Sequence, residues 1–132
     1  MTTKDAAKRW AETWERGWRE HDVDAIVGLY AENAVHRSAP FREPGRGPGG
    51  VRGYVEWAFA DENSADVWFG EPIVAGDRAA VAWWAVSVTG SGEETLAGVS
   101  VVRFDGDGLV LEQNDYWNME PGRREPPANF GR

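Results

Sequence analysis

The sequence has no cysteine and few basic residues. Without thiols the protein cannot form disulfide bonds, use a thiolate nucleophile or bind a metal through sulfur. The 14 Lys and Arg are outnumbered by 22 Asp and Glu, which gives a formal net charge of −8. A surface this acidic is unsuited to nucleic acid, whose phosphates require basic partners. The composition therefore excludes thiol chemistry and predicts no nucleic-acid partner.

Long hydrophobic runs are also absent, and none reaches the roughly 18 residues of a membrane span. The segment Met1–Asp5 leads directly into a charged helical pattern and does not resemble a signal peptide. The only two histidines, His21 and His36, lack acidic neighbours at a metal-binding spacing, and there is no phosphate-binding glycine motif. We therefore expect a cytoplasmic protein without a metal, a cofactor or a membrane contact.

Tryptophan, in contrast, is abundant. The chain of 132 residues is long enough for one domain with its own core, and its 42% hydrophobic content is ordinary. Eight Trp are more than such a chain usually has. Some belong to the core, but large flat side chains also suit a pocket for an apolar or ring-shaped ligand.

Three helices are predicted in the first half of the chain from the spacing of apolar residues. They are placed at Lys4–Glu20, from Asp22 to about Asn33, and at Val51–Asp61. A Trp at successive turns most often packs against a sheet, but Trp14 and Trp18 on the first helix are also candidates to line a pocket. Tyr30 on the second helix and Trp57 on the third are further candidates.

Strands are predicted at Ala34–Ala39, Val67–Val74, Ala79–Val88, Thr95–Phe104 and Leu109–Asn118. His36 on the first of these can reach a central cavity, although a surface or structural histidine is the alternative. The glycine-rich and proline-rich segment Pro40–Gly50 is predicted to be a loop. The tail 119–132 is rich in Pro and Arg and is predicted to be neither helix nor central strand, with Phe130 as an anchor or the tail disordered.

The sequence Asp105-Gly106-Asp107-Gly108 predicts a tight hairpin between the last two strands. If Phe104 pairs with Leu109, then Ser100 pairs with Gln113, Gly98 with Asp115 and Leu96 with Trp117, all on one face. That face is apolar at its start, so we expect it to point inward with Asp115 at the wall of a cavity. The alternative is that Asp115 caps a loop or pairs with an arginine, because a shifted register reverses the face.

Several short motifs occur in the order found in one known family. They are Asp22–Ile26, Leu29–Val35, Gly50 at the start of the third helix, Ala75–Arg78 before Trp83-Trp84, and Phe104–Val110 before Asp115–Trp117. The chain resembles the nuclear transport factor 2-like superfamily, and within it the SnoaL-like polyketide cyclase group, over about residues 5–118. The resemblance implies an α+β fold in which a cone-shaped, curved antiparallel sheet is closed by three N-terminal helices. It also implies a single domain over residues 1–118, an apolar pocket and a homodimer that packs through the outer side of the sheet.

Two functions are consistent with these patterns. As an enzyme, the protein would use Asp115 as a general base in cofactor-free isomerisation, cyclisation, dehydration or epoxide opening of a small ring compound, with His36 or Gln113 stabilising an oxyanion. As a non-catalytic protein of the same fold, it would bind a small ligand or serve as an accessory subunit. The predicted ligand-binding residues are Trp14, Trp18, Tyr30, Trp57, Trp83, Gly98, Ser100, Gln113 and Trp117. An arginine on Asp115 would favour the second function.

Overall fold

A computed structural model describes residues 1–132 and has an α+β architecture. Its helices are α1 (Thr3–Glu20), α2 (Val23–Val27) and α3 (Gly47–Phe59). Its strands are β1 (Tyr30–Arg37), β2 (Gly45–Arg46), β3 (Glu62–Phe69), β4 (Ile73–Ala75), β5 (Arg78–Thr89), β6 (Gly92–Phe104) and β7 (Val110–Pro121). No helix is both long enough and apolar enough to cross a membrane. The predicted fold class is confirmed.

Helix α1 has clear signals at both ends. The hydroxyl of Thr2 accepts a 3.1 Å hydrogen bond from the Asp5 amide, and the Asp5 carboxylate accepts one of 3.0 Å from the Thr2 amide. The helix ends at His21, whose φ of 53° is left-handed. Because apolar residues recur every three or four positions, α1 buries Trp10 and Trp14. It therefore supplies one aromatic wall of the interior.

The strands form one curled sheet in the order β2-β1-β7-β6-β5-β3, with β4 beside β5. The long strands β5, β6 and β7 are antiparallel, as predicted. Strand β1 instead runs parallel to β7, so the sheet is mixed rather than wholly antiparallel. No local pattern sets the direction of a strand that follows a helix, because its neighbour is far away in sequence. The sheet does not close, since β2 and β3 lie at its two edges.

The hydrophobic core lies between the concave face of the sheet and the three helices. Its largest members with almost no exposure are Trp10, Ile26, Val51, Val55, Val81, Val102 and Val110. They come from α1, α2, α3, β5, β6 and β7, so this one cluster ties all the helices to the centre of the sheet.

The pairing of β6 with β7 differs from the predicted register. Gly98 lies opposite Trp117, and Ser100 lies opposite Asp115, whereas the hairpin pattern predicted Gly98 opposite Asp115. Phe104 pairs with Val110 and not with Leu109, which shifts the register by one residue. An irregularity between Arg103 and Phe104 adds a second residue to β7. Because the net shift is two residues, each side chain keeps its predicted face. Asp115 therefore faces inward, but Gly98 does not lie opposite it.

Several predicted boundaries also move. The strand predicted at Val67–Val74 is two strands, β3 and β4, which both pair with β5. Helix α2 ends at Val27, and the sequence before Asn33 already belongs to β1. Helix α3 begins at Gly47, inside the segment predicted as a loop, with Pro48 in its first turn, where a missing amide proton costs nothing. Strand β7 continues past Asn118 to Pro121, because its partner β6 is long enough to pair with it.

The residues after β7 lie on the outer face of the sheet. The Trp84 indole donates a 2.8 Å hydrogen bond to the carbonyl oxygen of Arg124. The Phe130 ring stands edge-on to Trp84 with 5.8 Å between ring centroids. The Glu71 amide donates to the Gly131 carbonyl at 2.8 Å. The segment therefore covers the outer side of β5, on the face opposite to the core.

Candidate functional site

A cavity of about 350 Å³ opens between the concave face of the sheet and the helices α1 and α3. Its walls are mainly aromatic. Most of the rings pack edge-on or tilted against one another, while Phe69 stacks on Trp83 with 6.5 Å between centroids. The aromatic lining residues are Trp10, Trp14, Trp18, Tyr54, Trp57, Phe59, Phe69, Trp83 and Trp117. This volume falls within the range of small-molecule sites.

Asp115 lies in the wall of this cavity with 9% of its surface exposed. Its Oδ1 accepts hydrogen bonds from the Ser100 hydroxyl at 2.6 Å and from the Gln113 amide at 3.0 Å. Its Oδ2 is 2.9 Å from Nε2 of His36. No Lys or Arg forms an ion pair with Asp115. The carboxylate is therefore held in place by three side chains, of which only His36 can carry a positive charge.

A second layer of hydrogen bonds orients the groups around Asp115. The indole of Trp83 donates to the Ser100 hydroxyl at 3.1 Å. The indole of Trp10 donates at 3.0 Å to Oε1 of Gln113, which also accepts from the Tyr30 hydroxyl at 2.5 Å. Since Oε1 is thereby fixed as the acceptor, the Gln113 amide must point its N–H groups toward Asp115. The tryptophans thus supply directed donors as well as apolar walls.

His36 and Tyr30 are buried behind the cavity wall and do not line it. The His36 ring contacts Asp115 from the side of β1 and packs edge-on against Tyr54, with 5.1 Å between centroids. The Tyr30 hydroxyl bridges the indole of Trp14, at 3.0 Å, to the amide of Gln113. Both residues therefore contact Asp115 or Gln113 from behind and, contrary to the prediction, do not face the cavity.

Gly98 is the third predicted residue that does not line the cavity. A Cβ atom at this position would lie 2.1 Å from the Tyr116 carbonyl oxygen and 2.6 Å from Cβ of Trp117. Its neighbours on the two adjacent strands are the indole-bearing residues Trp83 and Trp117. Glycine is required here because a Cβ atom would collide with the adjacent strand β7, and not because a ligand needs the space.

The other eight predicted residues do line the cavity. They are Trp14, Trp18, Trp57, Trp83, Ser100, Gln113, Asp115 and Trp117. The strand residues among them were found from the alternation of β7 and β6, which survives the shift in register. The helical ones were found as aromatic residues on or beside a buried stripe.

Tyr54 on α3 also lines the cavity, although it is not among the predicted ligand-binding residues. Burial, together with the nearby charge of Asp115, raises the pKa of Tyr54 to about 12. Burial and the same charge raise the pKa of Tyr30 well above its ordinary value. Both hydroxyls are therefore neutral donors at physiological pH. No signal in the sequence separates Tyr54 from the core residues of the same helix.

Glu62 lines the cavity beyond the aromatic walls, where the sequence predicted only the end of a helix. Its side chain is 7% exposed, and its Oε1 lies 2.7 Å from Nε2 of His21. The Ser87 hydroxyl donates to its Oε2 at 2.6 Å, and the Trp18 indole donates to both oxygens at 3.1 and 3.2 Å. The cavity thus contains two buried carboxylates, each with a histidine and a serine. No three His, Asp or Glu side chains are grouped so that they could hold a metal ion.

Residues 7–113 match the family model described as a SnoaL-like domain. A search of curated protein sequences finds no match. Among solved structures, Rv0760c from Mycobacterium tuberculosis is similar with a TM-score of 0.77 and 20% identity, over 91% of this chain and 98% of that one.

Two further structures have the same fold. SalBIII, an epoxide hydrolase/cyclase-like enzyme with a role in pyran ring formation in the polyether salinomycin, has a TM-score of 0.74 and 22% identity, over 86% of this chain and 91% of that one. An NTF2-like protein of unknown function from Exiguobacterium sp. 255-15 has a TM-score of 0.71 and 14% identity, over 86% and 98%. At these identities the likeness establishes the architecture and leaves the chemistry to the side chains of this chain.

Proposed function

Because the chain belongs to the SnoaL-like domain family, we propose that its cavity binds a small apolar ring compound and that Asp115 acts on it as a general base, without a cofactor. The observation that carries this proposal is a buried carboxylate in an aromatic cavity with no arginine or lysine on it. A purely structural acid in such a place is ordinarily paired with an arginine or a lysine, whereas the only basic partner of Asp115 is His36. The reaction types are isomerisation, cyclisation, dehydration or epoxide opening.

The hydrogen bonds of Asp115 leave it able to accept a proton. An ionised carboxylate has about four acceptor positions, and donors from Ser100, Gln113 and His36 use three of them. The remaining position is available to a C–H or water proton in the cavity. Since an ionised carboxylate only accepts hydrogen bonds, Nε2 of His36 carries the proton in this state. The imidazole thereby orients Asp115 without contacting the ligand.

Tyr54 is the donor best suited to an oxyanion that forms during proton removal. It lines the same cavity as Asp115, and its hydroxyl remains protonated because its pKa is about 12. A neutral hydroxyl in an apolar cavity stabilises developing negative charge more strongly than it would in water. This role replaces the one expected for His36, whose Nε2 is occupied by Asp115.

A non-catalytic ligand-binding or accessory role is the second candidate. It is favoured by the completeness of the network, since Asp115 is bonded to three protein side chains before any ligand binds. In that case Asp115 would orient a hydroxyl-bearing ligand, and the aromatic walls of the cavity would supply most of the affinity.

The base-catalysed ring opening of 5-nitrobenzisoxazole separates these candidates. A base removes the proton from the ring carbon, that C–H electron pair forms the nitrile, and the N–O bond breaks to give a coloured phenolate. We expect the wild-type protein to accelerate this reaction and Asp115→Asn to lower the rate by at least about 100-fold. Asparagine retains the carbonyl oxygen bonded to Ser100 and Gln113, so the variant should fold normally.

Asp61→Asn is the matched control, because Asp61 also lines the cavity but is exposed. Its rate should stay within about twofold of wild type, since an exposed acid is not desolvated. Equal rates for wild type and Asp115→Asn would refute the role of Asp115 as a base. Tight binding of the probe without any acceleration would instead support the ligand-binding role.

We further propose that two copies of the chain associate through the outer face of β6 and β7. Because Ser100 and Asp115 point inward, the alternate residues Val99, Val101 and Tyr116 point outward. Tyr116 is 47% exposed, and Val99 and Val101 are partly exposed. An apolar patch on two central strands is unusual for a surface that faces only water.

A further inference from the structure

Glu62 is a buried acid that the proposed reaction does not use. With 7% of its side chain exposed, it accepts hydrogen bonds from Trp18 and Ser87, and His21 is its only ionisable partner of opposite sign. A contact that merely fastened β3 to α1 would be served as well by a neutral amide, and burying a charge costs more than burying an amide. Packing alone therefore does not explain why an acid occupies position 62.

Contact with a ligand would explain the acid, because Glu62 and Ser87 both line the cavity. Ser87 lies six residues along β5 from Val81, the residue that pairs with Ser100 beside Asp115. At the rise of an extended strand this separation is about 20 Å measured along the backbone. The two carboxylates therefore lie toward opposite ends of one cavity.

The wall of the cavity between the two carboxylates is aromatic. The rings of Trp18 and Trp83 meet edge-on with 5.6 Å between their centroids. The Trp83 indole bonds to Ser100 at the Asp115 end, and the Trp18 indole bonds to Glu62 at the other. A ligand that fills this space therefore has an apolar body and meets a hydrogen-bond acceptor at each end.

We propose that Glu62 and Ser87 form a second polar subsite, which accepts a hydrogen bond from a hydroxyl group at the end of the ligand remote from Asp115. The proposal rests on the proposed function, since it assumes that the same cavity binds a ring compound. A hydroxyl fits better than a cationic amine because His21 already lies beside the charge of Glu62. The substrate class is thereby narrowed to an elongated ring compound with oxygen functions at both ends.

The test compares the affinities of 4-hydroxybiphenyl and 4,4′-dihydroxybiphenyl, which differ by one hydroxyl group. Quenching of the tryptophan fluorescence reports binding, because six Trp side chains line the cavity. The wild type should bind the diol about tenfold more tightly than the mono-ol, as expected for one more bond to a charged acceptor. In Glu62→Gln this preference should fall to about twofold, the statistical factor for a symmetrical ligand, with the mono-ol affinity unchanged.

Glu94→Gln is the control, since Glu94 is the register partner of Ser87 and lines the cavity but is not buried. It should retain the tenfold preference. If Glu62→Gln fails to fold, Ser87→Ala tests the same subsite and should reduce the preference at least threefold. Equal affinity of the wild type for the two compounds, or a preference kept in both variants, would overturn the second subsite while leaving Asp115 as a base. Failure of both biphenyls to bind would overturn the subsite together with the ring-binding cavity.

Discussion

Two tyrosine hydroxyls near Asp115 are kept neutral by their surroundings. Tyr30 is part of the hydrogen-bond network behind the cavity wall, and Tyr54 faces the cavity. In both cases burial is the main cause of the raised pKa, and the charge of Asp115 adds to it. A phenolate at either position would be desolvated and repelled by that charge. The same features that suit Tyr54 to donate a hydrogen bond therefore make the fold sensitive to alkaline pH.

The free energy of unfolding should fall as the pH rises above 10. Tyr54 has a pKa of about 12 in the folded protein and an ordinary value of 10 when unfolded, so only the unfolded state loses the proton between these values. Its contribution is fully present below pH 10 and is lost as the pH passes 12, on the order of 2 kcal/mol. Urea denaturation at pH 8, 10 and 11.5 measures the change.

Tyr54→Phe provides the comparison for this pH dependence. The variant lacks the ionisable group, so its stability should decline less between pH 10 and 12 than that of the wild type. Tyr30 and the exposed Tyr116 are unchanged in the variant and contribute equally to both curves. Parallel curves for the two proteins would show that Tyr54 ionises as an ordinary surface tyrosine.

At the scale of the strand, Gly98 allows β6 and β7 to lie close together. It lies between Trp83 and Trp117 on the neighbouring strands, where the backbone of β7 comes within van der Waals distance of β6. Both indoles must turn into the cavity at this point, because Trp83 holds Ser100 and Trp117 donates to the Ser38 carbonyl at 2.6 Å. A side chain at position 98 would push the two strands apart.

Gly98→Ala should therefore destabilise the protein by about 2–4 kcal/mol, with a fall in Tm of roughly 10 °C. The added methyl group meets backbone and Cβ atoms, which cannot move aside as the end of a flexible side chain can. Gly53→Ala on α3 is the control, because nothing lies within 4 Å of its Cβ position. That change should stabilise the helix by about 0.5–1 kcal/mol. Calorimetry on both variants gives the comparison, and a Tm for Gly98→Ala equal to that of wild type would disprove the steric account.

The sequence predicts most of the elements but not how they pair. Helix α1 and the strands β5, β6 and β7 follow from periodicity, turn residues and alternation, which are local properties. Alternation also assigns Asp115 to the inner face. The register of β6 with β7 was not predicted, because an irregularity beside Phe104 has no signature in the sequence. The parallel direction of β1 was not predicted either, because its partner β7 is distant in sequence.

The sequence likewise predicts some residues of the candidate site and not others. Residues on alternating strands could be assigned to the cavity, whereas Glu62 could not, because it follows α3 directly and its neighbours are polar. Its burial is decided by Trp18 and Ser87, which are distant in sequence. Long-range contacts of this kind also decide whether His36 faces the ligand or supports Asp115 from behind.

For the whole molecule, the outer face of the sheet is divided into two areas. The segment after β7 covers Trp84 on β5 through Arg124 and Phe130. On β6 the segment also covers Thr95, which is hydrogen bonded to Gly122 and Arg124. The outward residues Val99, Val101 and Tyr116 remain partly exposed, with Tyr116 opposite Val99. The proposed contact between two copies is therefore limited to β6, β7 and the strands beyond them, and it excludes the area taken by the tail.

Val99→Lys tests that contact. A lysine at the centre of an apolar interface must be desolvated or expose the patch, so the variant should be monomeric. Light scattering after gel filtration should give a mass of twice 14.6 kDa for the wild type and 14.6 kDa for the variant. Ile73→Lys is the control, because Ile73 is 75% exposed on β4, away from the patch, and should leave the dimer intact. A wild-type mass of 14.6 kDa at all concentrations would contradict the dimer without affecting Asp115 or Glu62, whose cavity is built from one chain alone.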